Sequence, residues 1–543
     1  MGKKIWASLD CFLEQGPVMG RKVANLEFIR ALFRADPFDE YHFFPVSQKH
    51  FQGLLNWVEK NFPGIKKRLL AYSRLDLPDM LSRVEYHCFH LSDCINYPAA
   101  VARLRNKYSP RVFPVTSVIH SLSYSDYPAG FLRHLWPGTT ARDCVVCTSR
   151  AGMGVVNSYF QALRRDYDLD DSFRSPVLRH IPLGLDWEKY SAVSAEARGR
   201  GRTDLGIADE DVCILILGRI SYYSKMDFIP FMRSLSACLP RTGSGGTVHL
   251  VLSGGADKGG NICEALMNLA ANAGISLQTV FDPSEDKKLD LLAAADIFAS
   301  PADNYQETFG LTLLEAAASG LPVLASDFDG YRELVKNRET GFLVPTFGPE
   351  QSAVLNDLAF VLPDSHTHLL LAQNICLDTE EMADRLGELL DNPGLRLEMG
   401  QRGREKSKSY DWAKIINRYV TLWDELWDAE VDPETEKGPH PLGPDYARVF
   451  AGYPARILTD GQMLVWTDLG RSVYRKKDFP VVYAGMEGFA PVDNLRTLLF
   501  LSRNPISLQD LASRLWAAVP SLGEKAEYFV LWAVKQGYLR PVG

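Results

Sequence analysis

Glu307 and Glu315 lie eight positions apart within Ser300-Pro301-Ala302-Asp303-Asn304-Tyr305-Gln306-Glu307-Thr308-Phe309-Gly310-Leu311-Thr312-Leu313-Leu314-Glu315-Ala316-Ala317-Ala318-Ser319-Gly320-Leu321-Pro322-Val323-Leu324-Ala325-Ser326. The stretch reads as a strand ending at Ser300, a polar loop, and a helix beginning near Gly310. The first N–H groups of such a helix, at Gly310 and Leu311, have no intrahelical acceptor and can meet an anion such as a diphosphate. A carboxylate about one turn in, as Glu315 is, can accept hydrogen bonds from two vicinal hydroxyls. By spacing alone the E-x7-E pair is a weak signal, and Glu307 can equally cap the helix that follows. His120 is a second candidate, closing the run Val118-Ile119-His120-Ser121 at the carboxyl end of a strand. An imidazole there can hydrogen-bond a hydroxyl or move a proton near neutral pH, a satisfied structural histidine being the competing reading.

Such side chains need a frame, and the chain supplies one twice. Apolar runs at Ile5 to Leu9, Tyr41 to Val46, Tyr86 to Leu91, Val112 to His120, Asp143 to Thr148 and Val177 to Ile181 alternate with amphipathic stretches such as Val23 to Phe33, Ala99 to Lys107 and Arg150 to Arg164. Alternation of this kind implies βαβ units and a parallel, doubly wound sheet that binds ligands at its carboxyl edge. After Ser191 to Thr203, which reads as an exposed helix or linker, the pattern restarts with Val212 to Leu217, Val248 to Ser253, Leu277 to Phe281, Asp296 to Ser300 and Leu321 to Ala325. The expected organisation is therefore one Rossmann-like domain over 1–190 and a second over 205–428, facing each other across a cleft. Four prolines among mixed charges mark 429–445 as a semi-extended linker, followed by a small domain over 446–543.

The Ser300 to Ser326 segment resembles the signature of retaining glycosyltransferases of the GT-B fold, family 4. The resemblance continues through Val212-Cys213-Ile214-Leu215-Ile216-Leu217-Gly218-Arg219 with Lys225 six residues on, Asp329-Gly330-Tyr331-Arg332-Glu333-Leu334-Val335 and Thr340-Gly341-Phe342-Leu343-Val344. It implies an α/β fold of two Rossmann-like domains and transfer of a sugar from a nucleotide diphosphate (UDP among the candidates) with retention of configuration. It also implies a substrate set of Arg219, Lys225, Phe309, Gly310, Leu311 and Glu315. In that set Arg219 and Lys225 grip the diphosphate, Glu315 holds the ribose, and Glu307 and His120 face the donor sugar as catalytic residues. Ser121 stands where the family often has Asp. The family's glycine-rich loop after the first strand corresponds to Glu14-Gln15-Gly16-Pro17-Val18-Met19-Gly20-Arg21-Lys22, so Gly16 and Gly20 join the substrate-binding set. Ile181-Pro182-Leu183-Gly184-Leu185-Asp186 is similar to the interdomain motif and reads as a hinge strand. Solvated surface charge is the bland alternative for Arg219 and Lys225, and pairing with a surface lysine is that for Glu333.

Composition bounds the rest. With 59 Lys+Arg against 67 Asp+Glu the net charge is −8, and 46% hydrophobic residues suit a globular protein. No apolar run approaches the roughly 18 residues needed to span a bilayer. The start is too short in apolar length for a secretory signal, and Trp6 occupies the position a myristoylation motif needs. Nine scattered cysteines fit a reducing, cytoplasmic location, compatible with peripheral attachment at the inner membrane. Cys144 and Cys147 read as buried strand residues, and Asp168-Leu169-Asp170 as solvated charge. No metal and no cofactor beyond the nucleotide-sugar co-substrate is expected.

The tail differs. From Tyr446 onward 12 Lys+Arg face 8 Asp+Glu, a net of +4 that leaves −12 on the remainder. Asn494 to Asn504, Ser507 to Trp516 and Gly523 to Gln536 read as three short helices, Ser507 as an N-cap, and Gly537 to Arg540 as a return strand. The pattern is similar to a winged-helix-like module and to the PqqD-type peptide chaperones. Glu524 and Glu527 on the apolar third helix make a poor groove reader, so nucleic acid is disfavoured and a peptide or protein acceptor, or a packing role, is expected. A synthase, phosphorylase or epimerase on the same architecture, or a sugar-nucleotide-binding scaffold with a regulatory tail, remains the alternative.

Overall fold

The structure, a computed structural model, describes residues 2–14, 20–243, 245–255, 262–432 and 435–542. It divides into two compact units, Met1–Pro441 and Leu442–Gly543. In the first unit, among the described residues, β1 (Ile5–Ser8), β2 (Glu40–Phe43), β3 (Leu69–Ala71), β4 (Tyr86–Leu91), β5 (Val115–Val118), β6 (Asp143–Cys147) and β7 (Val177–His180) pair in the order β3-β2-β1-β4-β5-β6-β7. A second sheet takes β8 (Val212–Leu217), β9 (Val248–Gly254), β10 (Ser276–Phe281), β11 (Ile297–Ser300), β12 (Val323–Ser326) and β13 (Gly341–Val344) in the order β10-β9-β8-β11-β12-β13. Every pairing in both sheets is parallel. The strand order reverses beside β1 and beside β8, which opens a crevice at the carboxyl ends of those strands. These are two Rossmann-like lobes of α/β class, as expected.

Helices cover both faces, so the central strands are apolar without alternation. All six residues of β8 are buried, with Ile214 and Ile216 packing to one side and Leu215 and Leu217 to the other. Cys144 and Cys147 lie buried in β6 as the run predicts. The Ala195–Leu205 helix is largely exposed, as expected, but its inner face is not. Arg198 and Arg202 both reach Asp296 at the head of β11, at 2.6 and 3.1 Å, and Arg202 is buried. Its charges are fixed tertiary partners, which composition reads as solvent exposure.

Two chain crossings join the lobes. Leu185, in the hinge motif, bridges to Asp411, and Trp412 N–H donates to the Leu185 carbonyl at 3.1 Å. A Cβ on Gly184 would come within 2.5 Å of the Trp412 ring, so the crossing requires glycine there. The Trp412–Asp428 helix then packs Trp412, Ile415, Ile416, Tyr419 and Trp423 against Trp6, Phe28 and Phe38 of the first lobe. Chain order assigns this helix to the second domain, but its apolar stripe finds its complement on the first sheet. The stretch expected to be a semi-extended linker also follows that lobe, up to His440. Arg142 donates to the Ala429 carbonyl at 3.0 Å and Asn106 to the Glu436 carbonyl at 3.2 Å. The His440 ring lies 5.1 Å from Trp136.

Between β13 and the Thr379–Asp391 helix the chain makes an excursion. A short antiparallel pair, β14 (Thr346–Phe347) and β15 (Cys376–Leu377), brackets the Ala353–Leu358 and Asp364–Ala372 helices. In the second unit β16 (Met463–Trp466) lies between β17 (Ile506–Ser507) and β18 (Leu539–Val542), antiparallel to both. Helices Val492–Leu501, Leu508–Ala518 and Lys525–Lys535 bury Leu498, Leu511, Leu515 and Phe529 in its core. Ser507 caps the middle helix by accepting from Asp510 N–H.

Candidate active site

The loops that leave β8 and β11 stand side by side at the switch point of the second sheet. Arg219 follows β8 and donates to the Ser224 carbonyl at 3.1 Å, which holds its guanidinium over the loop. Lys225 forms an ion pair with Glu307, their side chains 15% and 14% exposed. Glu307 does not cap the helix that follows, whose N-cap is Gly310 with no side-chain capping bond. It accepts N–H bonds from Thr308 and Phe309 at 3.3 Å each and the Tyr331 hydroxyl at 3.3 Å, while binding Lys225. Burial opposes its charge, but Lys225 and the two backbone donors outweigh that and hold its pKa below the ordinary carboxylate value.

Gly310 caps the Leu311–Ala318 helix at φ +106°, and a Cβ there would come within 2.5 Å of the Tyr331 ring. Glycine is thus needed for both backbone and space, and it turns the first N–H groups of the helix toward the same crevice. The Phe309 ring is buried, 6.4 Å from Tyr410, and its N–H is taken by Glu307. Leu311 is half-buried at the first turn. One turn on, Glu315 Oε1 accepts from Tyr190 Oη at 2.8 Å and from Lys288 Nζ at 2.9 Å. Burial disfavours the Lys288 charge, yet Glu315 and Glu285 beside it hold its pKa above the ordinary lysine value. Glu315 Oε2 is buried and without a protein partner.

On the facing lobe His120 follows β5 and lies half-buried. Its Nε2–H donates to the Ser92 carbonyl at 2.8 Å, which leaves Nδ1 as an acceptor. Burial pushes its pKa down to about 4, so the ring is neutral near pH 7. Gly20 opens the Gly20–Ala35 helix with nothing near its Cβ position, and Arg21 pairs with Glu14 at 2.7 Å. Gly16 lies outside the described residues.

Several residues assigned no place in the site by sequence complete it. Tyr190 and Lys288 orient Glu315, and Tyr331 bridges Ser300 and Glu307. Asp329 sits at φ +48° beside Glu307; Oδ2 is buried and unpartnered, and burial pushes its pKa up to about 8. Gln306 and His368 join the lobes. Glu333, a candidate surface ion pair by sequence, also clamps them, accepting from Arg150 N–H and lying 3.2 Å from His180 Nε2. No local signal marks Tyr190, Lys288 or His368, because the groups they hold in the site, Glu315 and Ser123, are 27 to 245 positions away.

Two doubly wound lobes, with a cation pair and a helix N-terminus at the switch point of the second, define the GT-B fold. Residues 199–368 match the family model described as glycosyl transferases group 1, about a third of the chain. A curated relative named D-inositol 3-phosphate glycosyltransferase, from Nocardia farcinica, is 29% identical over 251 residues, 45% of this chain and 48% of its own length. One of the same name from Rhodococcus opacus is 31% identical over 166 residues, covering 30% and 36%. The chain spans about half the length, or less, of these relatives. Among solved structures, the Anabaena Alr3699/HepE protein in complex with UDP and glucose superposes with a TM-score of 0.51 at 15% identity, covering 78% of this chain and all of that one. A glycosyltransferase from Rickettsia africae gives 0.52 at 14%, covering 79% and all of that chain. These likenesses establish the fold. No helix among the described residues is long and apolar enough to cross a membrane.

Proposed function

We propose that the chain moves a sugar from a nucleotide diphosphate donor to an acceptor hydroxyl, with retention of configuration and without a metal. The carrying observation is that Lys225 pairs with Glu307, Arg219 reaches the neighbouring Gln306, and the Leu311–Ala318 helix starts just beyond, with Glu315 keeping one oxygen free a turn further on. A departing nucleotide diphosphate gathers negative charge as the glycosidic bond lengthens. Two fixed cations and unpaired helix N–H groups stabilise that charge without reorganising. The unpaired Glu315 oxygen suits a ribose hydroxyl, and the Glu307 carboxylate suits the positive charge that develops on the sugar.

No second carboxylate is assigned to the opposite face of the sugar. The reading is therefore front-side attack, in which the departing phosphate takes the proton of the incoming hydroxyl. Neutral His120 accepts a donor hydroxyl through Nδ1 and carries no charge into the step. The glycosyltransferase names of the curated relatives support transfer over hydrolysis, and the UDP of the Anabaena complex makes UDP the first nucleotide to test. The nine unpaired cysteines fit a reducing, cytoplasmic location. In the basic second unit, exposed Phe479 and Tyr483 near Arg475, Lys476 and Lys477 suit an acidic acceptor peptide.

Calorimetry with UDP, GDP and ADP, followed by turnover of the matching sugar nucleotides, tests the reading. Release of nucleotide with a glycosylated product supports it. Sugar phosphate as product would favour a synthase or phosphorylase, and binding without turnover a scaffold.

A further inference from the structure

Helix Asp364–Ala372 lies within the excursion after β13, outside the strands that form the switch-point site. Asp364 and His368, one turn apart on one face, both reach the loop after β5 that carries His120. Asp364 Oδ1 accepts from Ser125 N–H at 3.2 Å and from its hydroxyl at 3.0 Å. His368, 1% exposed, places Nε2 at 2.9 Å from Ser123 Oγ and 3.1 Å from the Ser123 carbonyl, with Tyr124 edge-on at 5.2 Å. Its Nδ1 faces the Gln306 side-chain nitrogen, and Gln306 Oε1 lies 3.4 Å from the Arg219 guanidinium. The Gln306 backbone carbonyl accepts the Ser121 hydroxyl at 2.7 Å.

The polarity of this string is determined from one end. A guanidinium only donates, so the Gln306 amide must turn its oxygen toward Arg219 and its NH2 toward His368. Nδ1 of His368 must then accept, which puts the ring proton on Nε2 and makes it a donor to Ser123. Four residues thus form one directional chain of hydrogen bonds from Arg219 to the His120 loop. Such chains strengthen cooperatively when the first donor is polarised.

We propose that Gln306 and His368 are positioning residues that couple occupation of the diphosphate site to the seating of the 120–125 loop against the donor sugar. The inference rests on Arg219 holding the diphosphate, as proposed above. An anion on Arg219 fixes the guanidinium, the guanidinium fixes the Gln306 amide, and the amide fixes the His368 tautomer that grips Ser123. The excursion after β13 then acts as the far wall of the cleft.

The full chain is titrated with UDP, and hydrogen exchange of the 117–126 segment is followed with and without saturating nucleotide. Wild type is expected to slow exchange there by about tenfold or more on binding. In His368→Ala and Gln306→Ala nucleotide still binds, but the slowing disappears and kcat falls more than the donor KM changes. His368→Gln, whose amide can accept from Gln306 and donate to Ser123, restores part of it. Asp364→Asn, which touches the same loop outside the string, keeps the nucleotide response. Failure of wild type to bind any of UDP, GDP or ADP would refute the donor reading itself. Binding with no change in 117–126, or a full nucleotide response in His368→Ala, would overturn the coupling alone.

Discussion

Replacing Lys225 by Met keeps most of the aliphatic stem and removes the cation that faces Glu307. Two separable losses follow. The first is catalytic: one preorganised group aimed at developing charge contributes about 2.7–4 kcal/mol, or roughly 10²–10³ in kcat. The second is structural. Both side chains are about 15% exposed, so the Glu307 carboxylate is left with the Tyr331 hydroxyl and two backbone N–H groups, all at 3.3 Å. Breaking a buried pair from one side costs about 3–5 kcal/mol when no other partner compensates; with these three donors and some solvent access the lower end is expected. The pH dependence gives the sign. In wild type the Glu307 pKa is lowered, so its contribution is present above the unfolded value near 4.5 and lost as pH falls through the folded one. Without Lys225, burial dominates and the pKa rises above 4.5, so stability falls as pH rises past that value. Denaturant melts at pH 5 and pH 8 therefore show Lys225→Met losing more at pH 8, and Lys225→Met/Glu307→Gln recovering much of that loss without recovering turnover. A Lys225→Met enzyme within threefold of wild-type kcat, with equal stability losses at both pH values, would refute the reasoning.

Asp329→Asn is expected to stabilise the fold increasingly as pH rises. The wild-type carboxyl has its pKa raised to about 8, so its contribution is full below the unfolded value and is lost as pH climbs from about 4 through 8; parallel melting curves across that range would contradict this. Arg105 is fully buried and bidentate to Asp143, at 2.6 and 3.1 Å, so Arg105→Met should cost about 3–5 kcal/mol in denaturant titrations. Gly184→Ala drives a methyl into the Trp412 ring and should destabilise by about 1–3 kcal/mol, and limited proteolysis should show the Trp412–Asp428 helix released early. Glu315→Gln keeps the shape but weakens the acceptor offered to a ribose, so calorimetry should show nucleotide affinity falling about tenfold or more with donor KM rising in step.

The sequence alone was enough for both sheets in outline, because a strand buried on both faces leaves an uninterrupted apolar run such as Val212 to Leu217. Family resemblance, not local pattern, marked Arg219, Lys225, Glu307 and Glu315, whereas the helix start near Gly310 and the Ser507 cap were readable directly. These are local signals, carried by periodicity and by what backbone conformation each residue type allows. The edge strand Leu69–Ala71 was too short to register, and the contacts of Arg198 and Arg202 with Asp296, on the inner face of a largely exposed helix, exist only after folding. Tertiary structure decided that Lys225 neutralises Glu307, that Tyr190 and Lys288 hold one oxygen of Glu315 and leave the other free, and that Trp412–Asp428 belongs to the first lobe. It also decided that His368, 245 positions from Ser123, meets the loop of His120. A polar contact between distant segments leaves no periodic trace in either one. Its energy depends on distance and burial, which exist only once the chain has closed on itself.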